Sequence, residues 1–161
     1  MSERRLILLR HAKSDWSGDE PDVARPLANR GRRQAPDAGR WLAANTERID
    51  LAVVSPAVRA RSTWDLVAAE LDDAPPMRID DRVYGASDRE LLAVVSQLPE
   101  DVHTVVVVGH NPGLEDLAAL LTGELTPMPT SALAVITVSG SWSTARPGSA
   151  VLVAAGRLPA T

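Results

Sequence analysis

Three short stretches of this 161-residue chain carry side chains able to handle an anion. Arg10-His11 closes the apolar run Leu6–Leu9, Arg59 follows Ser55-Pro56, and Gly109-His110-Asn111 closes the run Thr104–Val108. A guanidinium offers planar, charge-assisted forks to phosphoryl oxygens. An imidazole titrates near neutrality and, when neutral, can attack phosphorus in line. Two imidazoles and two guanidiniums together suit a tetrahedral anion. Taken singly, each has a plainer reading: the first polar residues after a strand, a solvated surface arginine, a structural histidine. What decides is whether the fold sends them to one place.

The surrounding sequence supplies elements that would do so. Arg5–Leu9 is continuously apolar after its first residue, as in a strand buried on both faces of a parallel sheet. Ligands bind at the carboxyl edge of such sheets. A polar loop runs from Lys13 to Pro26, long enough to suggest function. Ser14, Trp16 and Ser17 lie close enough to His11 to help wall a pocket, although simple packing is the plainer role for Trp16. Residues 29–46 turn helical, with Ala35, Ala38, Trp41 and Leu42 on one face, and Pro36 marks a possible start of the regular helix. Leu51–Val54 forms a second strand. Ser55-Pro56 predicts a helix start, with Ser55 as N-cap, running to about Leu71. This places Arg59 in a first turn, where the helix dipole disfavours a cation but welcomes an anion.

Met77–Ile79 is a short third strand, and Ser87-Asp88-Arg89-Glu90 a capping box that opens a helix ended by Pro99. Thr104–Val108 is the strongest strand signal, followed by a helix capped by Asn111 with Pro112 at its first position and closed by Gly123. Ser131–Val138 and Ala150–Ala155 read as an antiparallel pair, and the tail after Gly156 as loose. The alternation predicts an α/β fold: a three-layer α/β/α sandwich with a mostly parallel central sheet, in a single domain spanning residues 1–161.

Composition narrows the function classes. The chain is 45% hydrophobic and 24% charged, with net charge −4. This balance suits a globular domain and argues against a general nucleic-acid binder. No cysteine is present, which removes disulfides, thiolate metal sites and cysteine nucleophiles. Of three histidines, His103 precedes the fourth strand rather than joining the site, so a metal centre is not expected. Leu6–Leu9 is far too short for a signal core or a membrane span. The expectation is a cytoplasmic protein with no cofactor and neither nucleic-acid nor membrane partners.

Arg10-His11-Ala12, Ser55-Pro56-Ala57-Val58-Arg59-Ala60 and Gly109-His110-Asn111-Pro112 resemble, in order and spacing, the signatures of the histidine phosphatase superfamily, the phosphoglycerate mutase-like group. Ala12 stands where the broad signature has Gly. Arg10-His11-Ala12-Lys13-Ser14, the short chain, Tyr84-Gly85-Ala86-Ser87 and the Trp142–Gly148 connection look more specifically like the SixA-type phosphohistidine phosphatases. The resemblance covers nearly the whole chain.

It implies that His11 is the nucleophile, forming a phosphohistidine that water then hydrolyses. Arg10, Arg59 and His110 would clamp the phosphoryl oxygens. On that scheme His11 is neutral at its attacking nitrogen, its other nitrogen needs an acceptor, and His110 is better protonated. Larger relatives place a Glu general acid in a Glu-x-x-Tyr-Gly setting, where this chain has Asp81-Arg82-Val83-Tyr84-Gly85. Asp81 is therefore the candidate proton donor, with a solvated turn residue as the alternative. Ser17, six residues after His11, occupies the position of a phosphate-contacting Asn in many relatives. Asn111 is a further candidate phosphate contact. The expected substrate is a phosphorylated protein, above all protein phosphohistidine. A small phosphorylated metabolite, a non-catalytic phosphate- or phosphoprotein-binding module and, less well supported, a mutase stay open.

Overall fold

A computed structural model describes residues 3–158. The elements run β1 (Glu3–Arg10), α1 (Asn29–Asn45), β2 (Leu51–Val54), α2 (Val58–Ala68), β3 (Met77–Ile79), α3 (Asp88–Ser96), β4 (Thr104–Gly109), α4 (Gly113–Thr122), β5 (Leu133–Ser139) and β6 (Ala150–Gly156). The strands form one sheet in the order β3-β2-β4-β1-β5-β6. β3, β2, β4 and β1 are mutually parallel, β5 runs antiparallel to β1, and β6 runs antiparallel to β5. This is the expected mostly parallel α/β sandwich.

Alternation along β1 explains the two cores. Leu6 and Leu8 face a layer built on Leu91, Val94, Leu117 and Leu121 of α3 and α4. Ile7 and Leu9 face Ala35, Leu42, Trp64 and Val67 of α1 and α2. All four strand residues are fully buried, each contributing about 1.5–3 kcal/mol by removal from water. Register then sets the site. Arg10 pairs with Gly109, and Val54 with Val108. The chain leaves each strand still bonded to its neighbour: His11 N donates to Gly109 O at 3.1 Å and Ser55 N to Val108 O at 3.0 Å. Three strand exits therefore emerge side by side, with His110 from the middle one.

Several boundaries differ from expectation. β1 is longer at both ends. α1 runs unbroken from Asn29 through Pro36; the carbonyl that Pro36 leaves without a donor belongs to exposed Arg32, where water can serve it. α2 begins at Val58 with Ala57 as N-cap; the Ser55 hydroxyl accepts from Ala57 N at 3.2 Å, ahead of the helix, instead of from a first-turn N–H. α4 begins at Gly113, one residue later than expected, with Asn111 Oδ1 accepting from Glu115 N at 3.4 Å. The capping box at α3 has both of its bonds. The tail is tied in as far as it is described, since Arg157 Nε donates to Thr130 O at 2.8 Å; residues 159–161 lie outside the described residues. No helix among the described residues is long and apolar enough to cross a membrane.

Candidate active site

His11 is the first residue beyond β1 and is 8% exposed. Its Nδ1 lies 2.8 Å from Ala12 O. A carbonyl only accepts, so Nδ1 carries the hydrogen and the neutral ring keeps its lone pair on Nε2. Burial, reinforced by the Arg59 and Arg10 charges, pushes its pKa down to about 4. The segment behind it is fixed from two sides. Ala12 N donates to Thr63 Oγ1 at 2.9 Å, and Thr63 Oγ1 donates to Arg59 O at 2.7 Å. Lys13 O accepts from Ala28 N at the start of α1, and Lys13 N donates to Gln34 Oε1 at 3.0 Å. α1 approaches so closely that a Cβ at Gly31 would clash with the Lys13 carbonyl. The β1 exit is thus bolted to both helices of that face.

His110 is held differently. Its Nε2 lies 2.7 Å from Ser55 Oγ and its Nδ1 3.4 Å from Arg59 Nη2. A guanidinium only donates, so Nδ1 is an acceptor and Nε2–H donates to Ser55. This arrangement requires a neutral ring. Burial, then the neighbouring His11 and Arg59, pushes the pKa down to about 3. The expectation of a protonated His110 is therefore corrected for the free protein. The ring centroids stand 5.1 Å apart, and two cations at that distance in a buried site would repel.

Arg59, 7% exposed, has a partner that sequence reasoning missed. Its Nη1 donates to Asp22 O at 2.7 Å and its Nη2 to Asp22 Oδ2 at 3.0 Å. Tyr84 OH donates to the same carboxylate oxygen at 2.5 Å. The tyrosine bond, aided by Arg59, holds the Asp22 carboxyl below the usual carboxylate range. Tyr84 also meets the His110 ring edge-on at 5.5 Å. Arg10 donates through Nη1 to Met128 O at 3.1 Å. Glu115 Oε2 holds that turn, accepting from Met128 N at 2.7 Å and Asn111 Nδ2 at 2.9 Å. Burial lowers the Arg10 pKa, and the Glu115 charge opposes the shift.

Arg10, His11, Arg59 and His110 line one cavity of about 230 Å³ with Lys13, Ser14, Trp16, Asn111 and Thr130. His110 and Asn111 also line an adjoining recess of about 380 Å³ that reaches Gly85, Ser87 and Glu90. The structure thus gathers the four principal candidates. Asn111 lines the cavity, but its amide nitrogen is already committed to Glu115 and, at 2.9 Å, to Met128 O. Ser17 stays outside: it is exposed, and its N and Oγ both donate to Asp15 Oδ1. Asp81 sits exposed on a 3-10 turn and lines neither space. Trp16 is 64% exposed at the cavity, not packed inside. Thr63, lying one helical turn after Arg59, was discernible as a back-bonding residue; Asp22 and Glu115 carry no local signal. Among the described residues no group of three or more His, Cys, Asp or Glu could hold a metal ion.

Residues 6–85 match the histidine phosphatase superfamily (branch 1). The solved structure of a SixA-type protein from Nakamurella multipartitia, provisionally named a phosphohistidine phosphatase, superposes with a TM-score of 0.88 at 29% identity, covering 99% of this chain and 98% of its own. The chain belongs to the histidine phosphatase superfamily. Within the superfamily it is of the SixA type. The protein histidine phosphatase SixA solved with tungstate matches at a TM-score of 0.81 and 26% identity, over 94% of this chain and 95% of that one. An uncharacterized protein of Mycobacterium tuberculosis (strain ATCC 25618 / H37Rv) is 37% identical over 156 residues, 90% of this chain and 96% of its own. Membership and these neighbours make this histidine phosphatase an enzyme that removes phosphoryl groups from a phosphorylated substrate.

Proposed function

We propose that this phosphatase works without a metal, through a covalent phosphoryl group on His11, and that its substrate is phosphohistidine in proteins. The observation that carries the reading is the bond between His11 Nδ1 and Ala12 O, which leaves Nε2 as a lone pair in a pocket with two guanidiniums. Nε2 attacks phosphorus as the bond from phosphorus to the substrate nitrogen breaks, and the electron pair leaves with the substrate imidazole. Water then attacks phosphorus, the bond to Nε2 breaks, one water proton is released, and phosphate departs. Arg10 and Arg59 neutralise the oxygens in both steps. His110, beside the incoming dianion, takes up a proton and becomes a second donor, because a nearby anion raises the pKa of an imidazole. An imidazole that already carries a proton leaves without help, so a phosphohistidine substrate reduces the need for Asp81 or any other carboxylic acid.

The tungstate bound by the SixA neighbour is itself a tetrahedral oxyanion and supports this use of the pocket. Independence from metal is proposed because Arg10 and Arg59 already bring to the phosphoryl oxygens the positive charge that a metal would supply. The test is to incubate the protein with radiolabelled phosphohistidine and quench into alkaline denaturant, which preserves a phosphorus–imidazole bond. Label is expected on wild-type chain and absent from His11→Ala, with turnover surviving chelator. Label equal in both would sink the nucleophile assignment. Binding with no label and no phosphate release would identify a phosphate-binding module. A screen of phosphohistidine protein against phosphorylated metabolites separates the two substrate classes. Asp81→Asn and Asp22→Asn, compared on good and poor leaving groups, identify any proton donor.

A further inference from the structure

Trp16 is the one aromatic residue of the cavity lining outside the two imidazoles, and it is 64% exposed. An exposed indole on a slack loop would mean little, but this one is held. Asp15 N donates to Pro26 O at 2.8 Å, and Ser14 bridges Leu27. Asp15 Oδ1 accepts from Ser17 N and Oγ at 2.9 and 2.6 Å, an Asx turn with Trp16 at its centre. Arg25 lies 4.0 Å from the centroid of the indole, and its Nε stands 3.8 Å from Asp22 Oδ1. One face of the ring is therefore covered by a fixed cation. An indole covered on both faces could not be 64% exposed, so the other face is open. A rigid, half-covered aromatic plate beside the reacting groups is a surface for stacking.

We propose that Trp16 is a specificity-determining residue whose open face stacks on a planar group attached to the phosphorus, such as an imidazole or aryl ring. This rests on the phosphoryl-pocket assignment above and adds a substrate preference: flat, unsaturated leaving groups over aliphatic ones. It also gives Ser17 a role, that of bracketing Trp16.

Phenylphosphonate and methylphosphonate carry the same anionic head and differ in the ring, and neither is hydrolysed as a phosphate ester is. By titration calorimetry the wild type is expected to bind phenylphosphonate about 5- to 10-fold more tightly than methylphosphonate, a typical worth for an aromatic pair. That ratio should fall toward one in Trp16→Ala and be largely retained in Trp16→Phe. No preference in the wild type, or the same ratio in wild type and Trp16→Ala, overturns the proposal. In kinetics, Trp16→Ala should raise KM for a phosphohistidine peptide more than for a phospholysine peptide, which has the same phosphorus–nitrogen bond and an aliphatic leaving group; equal changes count against it. A wild type that fails to hydrolyse phosphohistidine yet keeps the phosphonate ratio defeats the proposed substrate and leaves the stacking site standing. Hydrolysis with no phosphonate preference does the reverse.

Discussion

The two histidines leave adjacent strands at the same level of the sheet, yet they are secured by different means. His11 has its Nδ1 hydrogen fixed by a backbone carbonyl one residue away. His110 is poised between two side chains, Ser55 and Arg59. A main-chain acceptor survives every substitution at its position, so the tautomer of His11 is built into the turn itself. The state of His110 depends on removable groups and on the charge that enters the pocket. The difference matches the proposed division of labour, in which the nucleophile must be ready beforehand and the second imidazole must change protonation as phosphate arrives.

That asymmetry can be broken in graded steps. His11→Ala should lower phosphate release by at least about a thousandfold, since the covalent route is lost. His110→Ala should cost about 10²–10³-fold in kcat, as expected for one transition-state donor, while label still accumulates on His11; losing the label there would mean the two rings share one role. Ser55→Ala strands the His110 Nε2 hydrogen and should lower kcat by about tenfold, close to the worth of one buried hydrogen bond, with His11 still titrating as in the wild type by NMR. Thr63→Val removes the acceptor of Ala12 N beneath His11 and should destabilise the fold by about 1–3 kcal/mol in denaturant melts. The gentlest probe is pH. Both rings have folded pKa values, about 4 and about 3, below the unfolded value near 6.5. The unfolded chain therefore binds more protons between these limits. Stability should be complete above about pH 6.5 and decline as pH falls toward 4, a slope that His11→Asn makes shallower. Added phosphate should move both NMR titrations upward, and that of His110 is the decisive one.

How far the sequence speaks depends on whether the determining forces are local. β2, an apolar run, and β3, an alternating Met-Arg-Ile, match to the residue because both are short and bounded by turn formers. The capping box at Ser87 and the left-handed Gly123 are also local devices, and both are present. Ser55 shows the limit. As a predicted N-cap it is a sound local inference, but His110 arrives from fifty-five residues away, and the helix starts later. The four principal side chains were legible because Arg10, His11 and His110 sit at strand ends and Arg59 opens the helix that follows one, and parallel strands bring their ends together. Asp22 was not, since a carboxylate in a proline-punctuated loop has no periodicity, and only the folded path carries it to Arg59 and Tyr84. Ser17 and Asp81 matched positions in a family pattern, yet their loops point these side chains to solvent or to near neighbours. Trp16 had two readings in the sequence, and its exposure at the cavity favours a place in the wall.

Asp22 already occupies both terminal nitrogens of Arg59 before any ligand arrives, with its main-chain carbonyl on Nη1 and its carboxylate on Nη2. An anion entering the pocket must compete with one that is tethered to the chain. Chloride, with a single charge and no geometry to engage a guanidinium fork, gains little from the exchange. A phosphoryl dianion can bridge Arg10 and Arg59 together and prevail. The built-in counterion should therefore act as a filter, raising the threshold for entry rather than shaping a tighter hole, so that chloride is expected to compete with phosphate only weakly.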